Sequence, residues 1–174
     1  MDRNAIWYLG FQWAKVILLS LFVIYLYLLP LNLTPAQIYP PNFVLLMAIA
    51  LIVRHHSFLP VWLVMVVFLL YDFLLYQPLG LTTFLALIGL EYLRGIRLSV
   101  ASMPFAAEWL TVSAFLALFM IGREVALFVI LADRTPLLGV LGELSFTIIY
   151  YPLAVLVISI VFPNRTPIEK AFEA

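Results

Sequence analysis

The stretch Phe43-Val44-Leu45-Leu46-Met47-Ala48-Ile49-Ala50-Leu51-Ile52-Val53, followed at once by Arg54-His55-His56, is where the fold is decided. It has no polar side chain until the basic turn closes it. Eleven helical residues rise about 17 Å. A bilayer's hydrocarbon core is about 30 Å thick and needs about 20 helical residues to cross. Either the helix extends at both ends, or it is short and shielded by its neighbours. If the stretch crosses, the chain has six membrane segments; if it re-enters, it has five. That parity places every charged residue beyond it.

The rest of the chain supports a membrane reading. Of its 174 residues, 66% are hydrophobic and 10% are charged, with a mean hydropathy of +1.16. A soluble domain is nearer half apolar and a quarter charged. Closed β-barrels are the other way to satisfy every backbone polar group in lipid, but they need alternating polar and apolar residues. The run Val61–Tyr71 has no polar side for a lumen. The expected fold class is therefore all-α: a polytopic membrane helical bundle of about six transmembrane segments, forming a single domain over residues 1–174. Nine basic and nine acidic residues balance, and their scatter gives no nucleic-acid surface. No cysteine is present, which excludes disulfides, thiolate metal sites and cysteine nucleophiles. The apolar run Val16–Leu31 after Lys15 reads as a retained first helix, because no small-residue cleavage pattern follows it.

Segments are expected at 13–31, 41–53, 58–76, 80–93, 106–132 and 143–162. With six segments and both termini inside, Arg3, Lys15, Arg54, Arg94, Arg97, Arg165 and Lys170 are cytoplasmic. Arg134 alone is outside, with Thr34–Tyr39 and Asp133–Gly139 as outer connections. With five segments, Arg54, Arg94, Arg97, Arg165 and Lys170 move outside, against the positive-inside rule. The six-segment count also puts Trp13, Trp62 and Trp109 at one interface, where amphipathic rings are favoured.

Ionisable residues within membrane segments mark candidate sites. Asp72 lies about 21 Å along the third segment, and Arg123 about 24 Å up the fifth in the same direction. Their matched depth makes Asp72 and Arg123 a candidate intramembrane ion pair, serving as a structural lock or as a proton or substrate site, unless the two side chains snorkel separately to the outer interface. Glu124, turned about 100° from Arg123, is a candidate partner contact or faces the outer interface. Glu91 and Arg94, three apart, read as a local ion pair. Glu108 and Glu143 read as carboxylates at helix starts, complementing the dipole. His55-His56 reads as a solvated turn, since adjacent helical residues diverge and no third ligand is near in sequence. No HExxH, GxSxG, Walker loop or GxGxxG occurs. The chain is therefore expected to have no enzymatic activity, no catalytic residues, no metal and no cofactor.

Within Pro41–Arg97, Pro41-Asn42 opens the second segment and a basic turn stands at 54–56. Leu70-Tyr71-Asp72-Phe73-Leu74-Leu75-Tyr76-Gln77-Pro78-Leu79-Gly80 follows, then another apolar run and Arg94. This ordered series resembles the rod shape-determining protein MreD family. That family carries Pro-Asn before its second helix and an intramembrane Asp followed by a polar or Pro residue and Leu-Gly. Pro41, Asn42, Asp72, Pro78, Leu79 and Gly80 are the matching positions, and the clear resemblance covers about a third of the chain. It implies a multi-pass protein of the bacterial cytoplasmic (inner) membrane without catalysis of its own. It also implies association with MreC and, directly or indirectly, with MreB filaments, RodZ, RodA and a class B penicillin-binding protein, with lipid around it. The family's fold is similar to the substrate-binding subunit of energy-coupling-factor vitamin transporters, and such a transport subunit is the alternative function. The first segment lacks the Ala-xxx-Ala pattern with which those subunits dock their scaffold, and the connection 32–42 is short for a ligand lid.

Overall fold

The structure, a computed structural model, describes residues 3–29, 40–132 and 136–162. The expected outer connections at 34–39 and 133–135, and the tail from 163, lie outside the described residues. Within them the chain is all-helical. In order come α1 (Arg3–Leu28), α2 (Phe43–His55), a short 3₁₀ turn (His56–Phe58), α3 (Val61–Leu74), α4 (Leu81–Ala101), α5 (Phe105–Val129) and α6 (Leu137–Val161). The stretches Trp7–Leu28, Phe105–Val129 and Leu137–Val161 are long and apolar enough to cross a membrane.

α2 is short and shielded by its neighbours. Ten of its thirteen residues are buried, on all sides of the helix. It packs against α4 on one flank and α6 on another, with α1 and the 3₁₀ turn also touching it. Around this axis the outer helices pair α1 with α3, α3 with α4, α4 with α5, and α5 with α6. A helix enclosed by protein need not match a hydrocarbon thickness, so thirteen residues suffice. α1, α5 and α6 instead present large apolar side chains outward, among them Phe22, Leu118 and Ile160. In water such a surface would drive association; in lipid it is solvated.

Several boundaries differ from those read in the sequence, each for a local reason. α4 does not stop at Leu93: it runs through Arg94-Gly95 to Ala101, because its inward stripe of Leu90, Leu93 and Val100 continues past the charges. α6 begins at Leu137 rather than Glu143, with Pro136 immediately before it, where its fixed φ suits a helix start. α3 ends at Leu74, where Tyr76 takes a left-handed φ of 55° and the Gln77 N–H donates to the Asp72 carbonyl at 3.0 Å. That six-to-one bond across a left-handed residue is a Schellman stop. α5 ends in the same way at Leu131 (φ 53°), with Ala132 N–H on the Leu127 carbonyl. His55 is the last residue of α2, not part of a solvated turn; it is buried and stacks on Phe58 with centroids 5.3 Å apart.

α4 and α5 approach closely at Gly89. A β-carbon there would lie 2.9 Å from the Phe115 ring, so only glycine fits without moving it.

Candidate functional site: polar locks at the two ends of the bundle

The buried polar residues gather at the two ends of the bundle, which we call the Asn42 end and the Arg54 end. At the Asn42 end, Asn42 is the N-cap of α2: its Oδ1 accepts the Leu45 N–H at 3.1 Å. Its own N–H donates to the Thr147 hydroxyl of α6 at 3.0 Å, and that hydroxyl donates to the Glu143 carbonyl at 2.6 Å. Across the opening of α2, the Tyr27 hydroxyl of α1 donates to the Pro41 carbonyl and accepts the Phe43 N–H at 2.8 Å. Three helices are thus tied at Pro41-Asn42.

Asp72 does similar work between α3 and α4. The α4 N-cap is Gly80 (φ 84°), which has no side chain to cap with. Asp72 Oδ2 substitutes for it, accepting the Gly80 N–H at 3.1 Å, the Thr83 N–H at 3.1 Å and the Thr83 hydroxyl at 2.9 Å. The carboxylate also sits at the positive end of the α4 dipole. Gly80 suits the turn because its φ is costly for any residue with a β-carbon. Pro78 accepts the Leu81 N–H at 3.1 Å to complete the turn, whereas Leu79 points outward and is 70% exposed. Asp72 itself is fully buried.

The expected Asp72–Arg123 pair is therefore corrected. Arg123 Nη1 bonds Glu143 Oε1 at 2.9 Å, with Glu124 3.7 Å from Nη2. Depth along a helix does not fix direction around it: Asp72 faces the start of α4, and Arg123 faces α6. Glu143 is likewise no helix-start carboxylate; it lies within α6 as the partner of Arg123.

At the Arg54 end, Glu108 is in the first turn of α5 but is 2% exposed, and it does more than complement a dipole. Arg54 Nη2 lies 3.0 Å from each of its oxygens, and the Tyr151 hydroxyl donates to Oε1 at 2.8 Å. This ties α2, α5 and α6. Arg94 holds Glu91 at 2.6 Å, as the spacing suggested, and also donates to the Leu59 carbonyl at 2.6 Å. Trp13 and Trp62 meet edge to face, with centroids 5.4 Å apart.

Between the ends, α6 carries Pro152 in its interior. A proline has no N–H for the carbonyl four residues earlier, which here belongs to Ile148. The Trp109 indole N–H of α5 donates to that carbonyl at 3.0 Å.

Neither the Asn42–Thr147 contact nor the Glu108 and Trp109 contacts were foreseen from sequence. Pro152 alone gave a signal, since a proline inside an apolar helix announces a carbonyl in need of a donor. Among the described residues, no group of three His, Cys, Asp or Glu side chains is placed to hold a metal ion. A cavity of about 420 Å³ opens between α1, α2 and α6; its walls, including Phe22, Leu26, Met47 and Leu153, are almost wholly apolar. No family model, curated protein or solved structure matches the chain.

Proposed function

We propose that this chain is a noncatalytic membrane scaffold of the MreD type. In this reading it is a six-segment bundle in the bacterial inner membrane with both termini cytoplasmic, and its fold is similar to energy-coupling-factor substrate-binding subunits. It binds MreC and helps control peptidoglycan synthesis by the elongation machinery, in contact, direct or indirect, with MreB, RodZ, RodA and a class B penicillin-binding protein. The observation that carries the reading is the employment of Pro41, Asn42, Asp72 and Gly80. Each holds a helix end against a neighbour, which is what a scaffold asks of its polar residues. The cavity between α1, α2 and α6 has almost wholly apolar walls and suits an apolar occupant such as an acyl chain.

Depletion tests it. Rod-shaped cells should become round or wide, and the purified protein should carry MreC with it. Cells that keep their shape but lose uptake of a vitamin would replace this reading with the transport one.

A further inference from the structure

The ring of outer helices around α2 has a seam. α1 pairs with α3, α3 with α4, α4 with α5 and α5 with α6, but α6 does not pack back along α1 as these pairs do. The two meet at the Arg54 end, where Lys15 Nζ of α1 reaches the Val161 carbonyl of α6 at 3.5 Å and lies 5.7 Å from the centre of the Phe162 ring. Towards the Asn42 end they part, and the cavity of about 420 Å³ lies between them with α2 at its back. Of the thirteen residues of α2, only Phe43, Met47 and Arg54 are not buried. Arg54 reaches Glu108 at the end of the helix. Phe43 and Met47 share one helix face, and both line the cavity. Apart from Arg54, the central helix is therefore uncovered where the ring is open.

The lips of the seam face lipid: Phe22 of α1 is 57% and Leu153 of α6 is 47% exposed. Size and chemistry together select what fills it. A water molecule needs about two to four polar partners, and Tyr27 carries the one hydroxyl on the walls. That hydroxyl is already engaged with the Pro41 carbonyl and the Phe43 N–H. A helix with its side chains is about 10–12 Å across, so two turns of one occupy roughly 800 Å³, far more than the cavity offers. A methylene takes the room of a water molecule, about 30 Å³, so the cavity holds on the order of fourteen of them, the content of one acyl chain. An empty seam would leave its walls without packing partners.

We propose that this seam is a lipid site, taking one acyl chain of a membrane phospholipid that completes the wall between α1 and α6. The chain enters at the Asn42 end, past Tyr27 and Pro40, and ends against Leu19 and Met47, because Lys15 closes the seam beyond them. Leu19 to Tyr27 is eight residues, about 12 Å of α1. Phe43 forms a firm side wall, its ring set against Tyr150 of α6 with centroids 5.4 Å apart. A chain gains no hydrophobic driving force by leaving the bilayer for this site, so its fit to the walls is what holds it. The inference goes beyond the scaffold reading and holds whichever partner the bundle has.

The test uses the full-length protein in phosphatidylcholine vesicles that include a phosphatidylcholine with a photoreactive diazirine near the end of one acyl chain. After irradiation, mass spectrometry of peptides locates the adducts. Outward residues such as Leu118 and Ile160 should be labelled by the surrounding bilayer. Met47 should be labelled as well, although α2 is otherwise enclosed. Val157→Trp, which fills the cavity from α6, should abolish the Met47 adducts and leave those on Leu118. Leu156→Trp, on an exposed face of α6, should leave both. If gel filtration shows that Val157→Trp does not fold, Val157→Phe takes its place. Labelled outer faces with no adduct on α2, or Met47 adducts untouched by filling the cavity, would overturn the inference. A benzophenone side chain placed at Phe43 and irradiated in native membranes tests the other occupants. An adduct of phospholipid mass supports the site. A protein-sized adduct, to a second copy or to a partner, would put a helix in the seam and overturn it.

Discussion

Asp72 and Thr83 meet twice on a single oxygen: Oδ2 accepts the Thr83 N–H at 3.1 Å and the Thr83 hydroxyl at 2.9 Å. A carboxylate on one helix thus does the work that an N-cap side chain would do on the next. Hydrogen bonds to a charged group contribute about 1.5–3 kcal/mol each, neutral ones about 1 kcal/mol. Asp72→Ala should therefore lower stability by at least about 2 kcal/mol, measured by unfolding in detergent. Thr83→Val removes one bond to that carboxylate and should cost about 1.5–3 kcal/mol alone and almost nothing once Asp72 is already alanine. An Asp72→Ala protein as stable as wild type would show that the cap is dispensable.

Arg123 belongs with Glu143, so a double-mutant cycle on those two should report a coupling of about 0.5–3 kcal/mol. The cycle on Asp72 and Arg123 should be close to additive, since they share no hydrogen bond. A strong coupling in the second cycle and none in the first would mean that the contacts are exchanged in the membrane.

The element types were legible because they depend on composition and periodicity. Phe43–Val53 read either as a helix extended at both ends or as a short one shielded by its neighbours, and α2 is the latter. The site was less legible. Asp72 and Arg123 stood out as charged residues at similar depth, but depth leaves the azimuth free, and the azimuth decides the partner. Glu143 was misread because the sixth segment was started at 143, whereas α6 starts six residues earlier and carries Glu143 to the level of Arg123. Tyr151 reaches Glu108 across 43 positions, and no local pattern announces such a contact. Asn42 was marked by resemblance alone; its reason, capping α2 while bonding Thr147, needed the packing of α6.

The Glu108 carboxylate is almost sealed, with its side chain 3% exposed, while that of Arg54 is 40% exposed. Removing Arg54 strands a buried charge, which costs about 3–5 kcal/mol when both partners are buried. The partly wet guanidinium lowers the expectation for Arg54→Ala to about 2 kcal/mol. Tyr151→Phe removes one bond and leaves the ion pair, so about 1 kcal/mol is expected. Equal and negligible effects in melting experiments would place Glu108 in contact with water.

The expected orientation, with both termini cytoplasmic, rests on the seven-to-one division of Lys and Arg among the connections. The chain has no cysteine of its own, so single cysteines report cleanly. A membrane-impermeant thiol reagent applied to intact cells should label cysteine at Gln37, Leu79 or Thr135, and should not label it at His56 or Ser99. Leu79 is the clearest reporter, being 70% exposed in the turn between α3 and α4. Labelling at Ser99 without labelling at Leu79 would invert the bundle.

Trp109 and Pro152 make the sharpest test of the packing of α5 on α6. Pro152 leaves the Ile148 carbonyl without its helical donor, and the Trp109 indole N–H fills the vacancy at 3.0 Å. Trp109→Phe keeps an aromatic ring but removes that donor, and an acceptor left unsatisfied where lipid rather than water surrounds the helix costs about 1–3 kcal/mol. Pro152→Ala restores a backbone N–H four residues after Ile148, so the carbonyl regains a partner within its own helix. Trp109→Phe should accordingly be destabilising in the wild-type background and much milder when combined with Pro152→Ala. The comparison needs four proteins and one melting measurement on each. If the loss is the same in both backgrounds, the indole contributes through packing alone and its hydrogen bond to Ile148 carries no weight.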